Sequence, residues 1–182
     1  MKKIISITIF ALFFCLSASA QKYGYEKSIA AYANIGVGKY NNSAFGITMV
    51  NGYRFNDYFF AGVGFGIAYS NELQSATTWT YWGVTSERRR DGYPIPLYLQ
   101  AKAYLTTGNI RPFTLMNVGY TFDIMEYMKD APGLMFEPAL GLDIAIGEKQ
   151  SIFAMAGFNL QHYEFGHVSY FKSVALKIGF RF

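Results

Sequence analysis

A histidine and a serine that stand two residues apart are a candidate pair for nucleophilic catalysis. His167 and Ser169 flank Val168, and a histidine within hydrogen-bond reach can activate a serine hydroxyl as a nucleophile. Such a pair needs an acidic residue to orient the histidine, and Glu164 is nearby in the sequence. The other histidine, His162, has no metal-ligand companion, so the sequence predicts no metal site and no cofactor.

Three consecutive arginines suggest a different chemistry, the binding of anions. They lie in the stretch 70–92, the longest one without regular alternation. Arginine pairs bidentately with carboxylate and phosphate groups, which anionic sugars and lipids carry. A solvated loop tip is the alternative reading of the arginines, and the two tryptophans of this stretch suit either a membrane interface or packing within the loop. The candidate surface site consists of Arg88, Arg89, Arg90, Trp79 and Trp82.

Charged residues inside strand-like segments are the third feature. They share the less apolar parity of those segments, which also carries most of the strand glycines. A charge that faced lipid at the bilayer midplane would cost about 2–4 kcal/mol, whereas charges that face a barrel interior can pair. We interpret the set as a structural network that lines a lumen, and an ion path is the alternative. Its members are Arg54, Lys102, Asp123, Glu137, Asp143, Lys177 and Arg181.

The elements that must position these residues are strands, and the last ten residues show the pattern most plainly. Even-numbered positions from Val174 to Phe182 are apolar, and odd-numbered positions from Ser173 to Arg181 are polar or small. Successive side chains of a strand point to opposite faces, so one face suits hydrocarbon and the other a crowded polar lumen. The same alternation predicts further strands at 29–39, 44–55, 58–69, 93–105, 112–124, 134–146 and 151–163.

Eight such strands predict an all-β fold, an eight-stranded antiparallel up-and-down transmembrane β-barrel. Each strand has the roughly 9–11 residues needed to cross a bilayer when tilted. The barrel end that holds both termini has short turns at 56–57, 106–111 and 147–150. The other end has a tight turn at 40–43 and longer loops at 70–92, 125–133 and 164–170. A soluble barrel or sandwich with its apolar face inside is the alternative. Pro138 predicts a bulge or a local break.

The N-terminal segment predicts export. Residues 1–20 combine Lys2 and Lys3 with an apolar run and an Ala18-Ser19-Ala20 cleavage site, the three parts of a signal peptide. Residues 21–28 are predicted as a polar lead-in and 29–182 as the barrel domain. The formal net charge of +4 becomes weaker without the signal peptide, so nothing favours nucleic-acid binding. The single cysteine belongs to the signal peptide, which leaves the mature chain without disulfides.

The chain from about residue 29 to 182 resembles the outer membrane protein β-barrel domain family of Gram-negative bacteria, in its small eight-stranded OmpA/OmpX-like form. The resemblance rests on the signal peptide and on short motifs. These are Gly-Tyr-Arg-Phe-Asn-Asp-Tyr-Phe at 52–59, the Gly-x-Gly-x-Gly strand, Gly-Asn-Ile-Arg-Pro-Phe at 108–113, and the terminal Gly-Phe-Arg-Phe. It implies residence in the cell outer membrane, after cleavage of the signal peptide behind Ala20.

The same resemblance implies the partners. In this family the terminal aromatic residue, here Phe182, forms part of the signal read by the outer-membrane assembly machinery. Members mostly lack a defined biochemical activity, so we expect a non-enzymatic structural or surface-interaction role in which the external loops contact lipopolysaccharide, sugars or proteins. A small passive pore is an alternative. His167 and Ser169 are similar to the His-x-Ser pair of barrel lipid A deacylases, but the acid which that family carries on its last strand is missing here.

Overall fold

The computed structural model describes residues 24–37, 43–76, 86–123, 132–147, 149–165 and 167–182. Within these ranges it describes the side chains except at 71–76, 86–91, 123, 132, 163–165 and 167–171. The predicted signal peptide, Trp79 and Trp82 lie outside the described residues. No helix in the described ranges is long and apolar enough to cross a membrane.

All regular structure in the described part of the chain is β-strand, and every pairing between neighbouring strands is antiparallel. The strands are β1 Tyr25–Gly36, β2 Ser43–Arg54, β3 Phe59–Ala76, β4 Ser86–Gly92, β5 Pro94–Tyr104, β6 Ile110–Asp123, β7 Pro132–Ala145, β8 Ser151–Phe165 and β9 His167–Arg181.

The sheet closes on itself. Strands that follow each other in the chain pair with each other, except that β4 and β5 both pair with β3, and β1 also pairs with β9, from Ser28↔Arg181 to Gly36↔Ser173. β4 and β5 together form one strand of the barrel wall, since only Tyr93 separates them and β3 pairs with both. We call each of the wall's continuous strands a stave. The result is a barrel of eight staves, and the predicted fold class is confirmed.

The two faces of the wall differ as the alternation predicts. On β9, Leu176 and Ile178 are 43% and 60% exposed, whereas Lys177 between them is 8% exposed. The same division runs around the barrel: large apolar side chains are exposed on the outer face, and polar or aromatic side chains are buried inside. An exposed apolar surface of this extent marks a site of contact with a membrane or with other proteins.

One polar residue on the outward parity of β2 is covered by its neighbour. Asn51 is 8% exposed, and the Tyr25 hydroxyl donates a hydrogen bond to its side-chain oxygen at 3.2 Å. The amide is therefore partnered where lipid could not solvate it, because buried polar groups without hydrogen bonds are costly.

Three segments predicted as irregular are strands instead. Residues 25–28, predicted as lead-in, open β1. Much of the predicted loop 70–92 is a hairpin, in which β3 and β4 pair from Ser70↔Gly92 to Ala76↔Ser86. The predicted loop 164–170 is strand except at residue 166, which lies outside the described residues. Alternation disappears where strands leave the apolar layer, because both faces are then polar, whereas backbone pairing continues.

Proline in the sixth stave does not shift its register. Pro138 pairs with Met116 in an unbroken ladder to β6, and the β8 register is the same on both sides of it, at Phe136↔Leu160 and Ala139↔Gly157. The register shift lies instead between Pro132 and Met135. No bulge forms at Pro138, but the predicted local break is confirmed, because the ladder to β8 has no pair at Glu137 or Pro138, where the proline lacks an amide donor.

Glycines on the inner face make room for aromatic rings of the adjacent stave. Tyr98 pairs with Gly64 on one side and Gly119 on the other. A Cβ added at Gly64 would collide with the Tyr98 ring, and one at Gly119 with the Tyr98 Cα and Cβ. The rings of Phe113 and Phe153 likewise lie over Gly141 and Gly179. The narrow interior is thus filled by large side chains that lie flat against bare backbone.

The inside and outside assignments can be tested by cysteine scanning of residues 173–181 in a Cys15→Ser chain. We expect even positions to be accessible to a lipid-phase quencher and odd positions to be shielded, since successive side chains face opposite sides of the wall. Fluorescence of a thiol-linked probe measures this. A profile without period-two alternation would contradict the assignment.

Candidate functional site in the barrel lumen

A carboxylate on the first stave joins two other staves at the end of the barrel that holds the termini. Glu26 Oε1 accepts from Arg54 Nε of β2 at 2.5 Å and from Arg181 Nη1 of β9 at 2.7 Å. Its other oxygen accepts from Arg54 Nη2 at 3.4 Å. Because β1 lies between β2 and β9, this one side chain fastens the seam where the barrel closes.

A second carboxylate extends the cluster across the lumen. Asp143 is fully buried and accepts from Arg111 Nη2 at 2.5 Å and from the Ser151 hydroxyl at 2.9 Å. Arg181 Nε lies 3.5 Å from Asp143 Oδ2 and donates to Ser151 Oγ at 2.8 Å. The Tyr104 ring lies 4.2 Å from Arg54 Cζ and 5.3 Å from Arg111 Cζ. We call Glu26, Arg54, Arg111, Asp143 and Arg181 the basal network.

A separate ion pair lies in the middle of the lumen. Lys177 Nζ donates to Glu137 Oε1 at 2.5 Å, and both side chains are almost completely buried. Asn117 Nδ2 donates to the same oxygen at 2.8 Å, and Gln100 Nε2 donates to Asn117 Oδ1 at 3.0 Å. A buried pair is stable only if further hydrogen bonds satisfy it, and here the amides supply them.

Lys102 is held differently from the other lumen cations. It is 4% exposed, and among the described residues no carboxylate oxygen lies within salt-bridge distance of its Nζ. The ammonium lies 4.6 Å from the Phe113 ring centroid and 4.9 Å from that of Phe153, with Tyr104 and Phe60 at 5.5 and 5.8 Å. Such cation–π contacts each contribute up to about 2 kcal/mol when desolvated.

Cavities interrupt the lumen, among them two of different size. The larger, about 40 Å³, lies on the side of the barrel away from the termini. Its lining includes Asn34, Asn159 and Gln161, each with a buried polar atom that has no partner among the described residues. Roughly 10–15 Å³ accommodates one water molecule, so this space has room for about three. The smaller cavity, about 10 Å³, lies between Lys177 and Lys102.

The predicted charged residues fall into two groups. Arg54, Asp143 and Arg181 meet in the basal network, while Glu137 and Lys177 form the middle pair. Lys102 is inside but belongs to neither group. Asp123 ends β6 opposite Pro94, and its side chain lies outside the described part of the structure. Its predicted membership stays a prediction.

Sequence reasoning missed two members of the basal network. Glu26 has the same parity as the inward residues of β1, but it fell in a stretch read as a lead-in. Arg111 has the inward parity of β6, but it fell in a predicted turn. Glu26 and Arg111 would both be predicted to face inward if the alternation of each strand were continued to the turn, because side-chain parity persists until the chain turns.

For the predicted surface and catalytic residues in the described ranges, the structure gives the position of the backbone. Arg88, Arg89 and Arg90 lie in β4, opposite Gln74, Leu73 and Glu72. His167 and Ser169 lie in β9, opposite Phe165 and Tyr163. The side chains of all five lie outside the described part. Among the described residues no group of three potential ligands is placed to bind a metal.

Phe182 lies at the edge of the outer face. Its ring is 47% exposed and stacks on Phe180, with centroids 6.0 Å apart. Its backbone exchanges two hydrogen bonds with Lys27, at 2.9 and 3.0 Å. The terminal residue is thus fixed to the first stave and presents its side chain outward.

Comparison with known proteins gives no family model and no curated relative that match the chain. Among solved structures, the surface protein NspA from Neisseria has a TM-score of 0.53 at 14% identity, with 90% of this chain and 98% of that chain covered. The outer membrane protein OprG from Pseudomonas aeruginosa has a TM-score of 0.52 at 13% identity, with 89% and 96% covered.

The chain has the fold of the small OmpA/OmpX-like outer-membrane barrels. The resemblance read from the sequence is thereby confirmed at the level of fold. In this OmpA/OmpX-like barrel the lumen is filled by the basal network, the Lys102 aromatic contacts and the middle pair, in that order from the end that holds the termini.

The middle pair of the barrel can be tested with one single variant and one double variant. Lys177→Met leaves Glu137 charged and buried, so we expect a loss of about 3–5 kcal/mol of stability. Adding Glu137→Gln removes the charge, keeps an amide beside Asn117, and should recover most of that loss. Unfolding in urea, monitored in detergent, measures both. Lys149→Met in an exposed turn is the matched control, and equal losses in the single and double variants would contradict the pairing.

Proposed function

We propose that the protein is a non-enzymatic outer-membrane β-barrel with a structural or surface-interaction role. The observation that carries the proposal is the combination of an apolar outer face with a lumen whose carboxylates are all bound internally, as far as the side chains are described. A barrel of this kind anchors itself in lipid and leaves its external surface as the place for contact with other molecules.

Several features support placement in the outer membrane. A closed barrel pairs its backbone groups within the wall, which is the requirement for a β-protein in hydrocarbon. The solved proteins of similar fold include an outer membrane protein, and residues 1–20 have the parts of a signal peptide. The shorter turns lie at the periplasmic end in this proposal, and the longer connections lie outside the cell.

Passage through the lumen is disfavoured by its filling. The cavity between Lys177 and Lys102 has a volume of about 10 Å³, which is one water molecule at most. The rings of Phe113 and Phe153 lie 4.6 and 4.9 Å from Lys102 Nζ and occupy the lumen beside it. A hydrated ion does not fit this section, so we favour a structural role for the lumen charges over an ion path.

External contacts are proposed for the connections away from the termini. The β3–β4 hairpin extends the wall by the pairs from Asn71↔Asp91 to Ala76↔Ser86, and β8 and β9 pair up to Phe165↔His167. The candidate ligands are lipopolysaccharide, anionic sugars or proteins that meet loops 70–92, 125–133 and 164–170. Arg88, Arg89 and Arg90, with Trp79 and Trp82, are the candidate contact residues.

A lipid-modifying hydrolase has less support. His167 and Ser169 remain the candidate pair, and both belong to the β8–β9 hairpin. A triad needs an acid that orients the histidine. The carboxylates described inside the barrel, Glu26, Glu137 and Asp143, are bound to arginine or lysine, so none of them is available for that role.

Assembly in the outer membrane can be tested at the terminal residue. We expect Phe182→Ala to reduce the folded barrel recovered in the outer-membrane fraction several-fold, because the resemblance implies that the assembly machinery reads this ring. Ile178→Ala is the matched control, since it removes a comparably exposed apolar side chain from the same face of the adjoining strand β9. Faster migration of the unheated protein on a detergent gel reports folding. Equal yields for the two variants would contradict the signal, and a soluble periplasmic wild type would contradict the outer-membrane role.

Surface interaction can be tested on intact cells with fluorescent dextran sulfate as the polyanion. Replacing Arg88, Arg89 and Arg90 with serine should lower binding about tenfold or more, since exposed charge contacts contribute roughly 0.5–1 kcal/mol each. Flow cytometry measures the bound probe, and Lys149→Ser at the opposite end of the barrel is the control. Binding that the triple substitution leaves unchanged would assign the interaction elsewhere.

A further inference from the structure

The larger cavity of the lumen is lined by every stave of the barrel. Its lining runs from Tyr32 and Asn34 of β1 round the wall to Ser173 and Lys177 of β9. Asn34 and Ser173 lie near those ends of their strands that are away from the termini, and both are half-buried, whereas Asn159 is 4% exposed. The cavity is therefore a cup with its rim away from the termini and the middle pair at its floor.

Three amide atoms in this lining have no hydrogen-bond partner among the described residues. They are Asn34 Oδ1, Asn159 Oδ1 and Gln161 Nε2. Asn34 and Asn159 belong to β1 and β8, the staves that flank β9, so their backbones lie within about 10 Å of each other. The β9 residues paired with them are the small Ala175 and Ser173. The unpaired atoms therefore border one space, and buried polar atoms of this kind call for a bound partner.

The groups at the floor of the cup are already bonded. Lys177 and Glu137 form the middle pair, and the side chains of Tyr98 and Thr48 share a hydrogen bond. The two charges of the pair cancel, so the cup offers no unbalanced charge to an ion. A neutral ligand that bonds to the three amide atoms suits this surface better than an anion or a cation does.

The unpaired atoms define the hydrogen-bonding groups of that ligand. Two of them are acceptors and one is a donor. A primary carboxamide supplies the complement, because its nitrogen carries two N–H donors and its oxygen is an acceptor. A carboxylate has no donor and an ammonium group has no acceptor, so neither can satisfy all three atoms.

The size of the cup agrees with the same group. A volume of about 40 Å³ has room for about three atoms of the size of a water molecule, and a carboxamide has three atoms other than hydrogen. Pro94 and Pro96 line the cup from β5, the stave opposite β9. Their rings give an apolar surface to the flat face of an amide whose edges bond to the asparagines and the glutamine.

We propose that the cup bordered by Asn34, Asn159 and Gln161 binds a primary carboxamide, carried by a small free molecule or by a glutamine or asparagine side chain of a peptide. The asparagine oxygens accept from its nitrogen, and Gln161 Nε2 donates to its oxygen. This site lies inside the barrel and goes beyond the contacts proposed for the external loops, since either can exist without the other.

Acetamide tests the site in the folded wild-type barrel. In detergent micelles, the side-chain signals of ¹⁵N-labelled asparagine and glutamine should shift saturably at Asn34, Asn159 and Gln161. The dissociation constant should be on the order of millimolar, because a ligand of so few atoms has little binding energy. Acetate is the control, since it has the same shape without N–H donors. No saturable shift with acetamide, as for a cup that holds only water, or an equal shift with acetate, would overturn the inference.

Two substitutions connect the binding to the unpaired oxygens. Asn159→Leu keeps the approximate volume and removes one acceptor, so the remaining amide signals should report an affinity for acetamide lowered about tenfold. Asn34→Leu at the half-buried rim should have the same effect, and it keeps the test decisive if the first variant does not fold. Asn109→Leu in an exposed turn at the opposite end is the matched control. Wild-type affinity in both lumen variants would contradict the site.

Larger probes distinguish the two sources of the carboxamide. L-Glutamine is compared with L-glutamate, and the tripeptide Gly-Gln-Gly with Gly-Glu-Gly, by the same signals. Binding of glutamine without the tripeptide assigns the cup to a small free amide, and binding of the tripeptide assigns it to a peptide side chain. Failure of both glutamine probes, or equal binding of the glutamate probes, would overturn the proposed ligand class.

Discussion

The constraint on which this structure depends is that a strand inside hydrocarbon finds no water for its backbone amides and carbonyls. Closing the sheet through the β1–β9 ladder pairs these groups within the wall. Closure then forces every second side chain into an interior that eight staves leave barely wide enough for side chains to fill. Aromatic rings fill this interior, glycines make room for the rings, and the buried charges pair with one another.

The interior resolves the crowding in layers. At the end with the termini, arginines share two carboxylates, and each guanidinium serves more than one partner or ring. Above this lies the layer in which aromatic rings surround Lys102, and then the pair of Lys177 and Glu137. Rings lie over glycines on neighbouring strands, as Tyr98 does over Gly64. Charged and aromatic side chains therefore fill the barrel together, and the lumen is a packed core interrupted by small cavities.

The eight staves and the inward or outward direction of their side chains could be predicted from alternation alone. Side-chain direction in a strand has a period of two, and the sequence shows this period wherever one face is apolar. Lys177 and Leu176 are assigned to opposite faces from the sequence on that ground. The pairing of the charges could not be predicted, since it depends on the stagger between staves: Glu137 meets Lys177, forty residues away and two staves across. Alternation also does not predict strands outside the apolar layer. Glu26 and the β3–β4 hairpin lie where both faces are polar, so the pattern that marks a strand is lost while its hydrogen bonds remain.

The ion pair between Glu26 and Arg181 joins residues 155 positions apart, and this separation has a kinetic meaning. Most neighbouring staves are held close by the short connection between them, so a ladder that opens there re-forms from ends that stay together. The seam between β1 and β9 has no such tether, and closing a loop of this length carries the largest entropic cost in the barrel. The carboxylate of Glu26, bound to arginines on both adjoining staves, therefore adds to the backbone ladder at the one seam that no short connection holds closed.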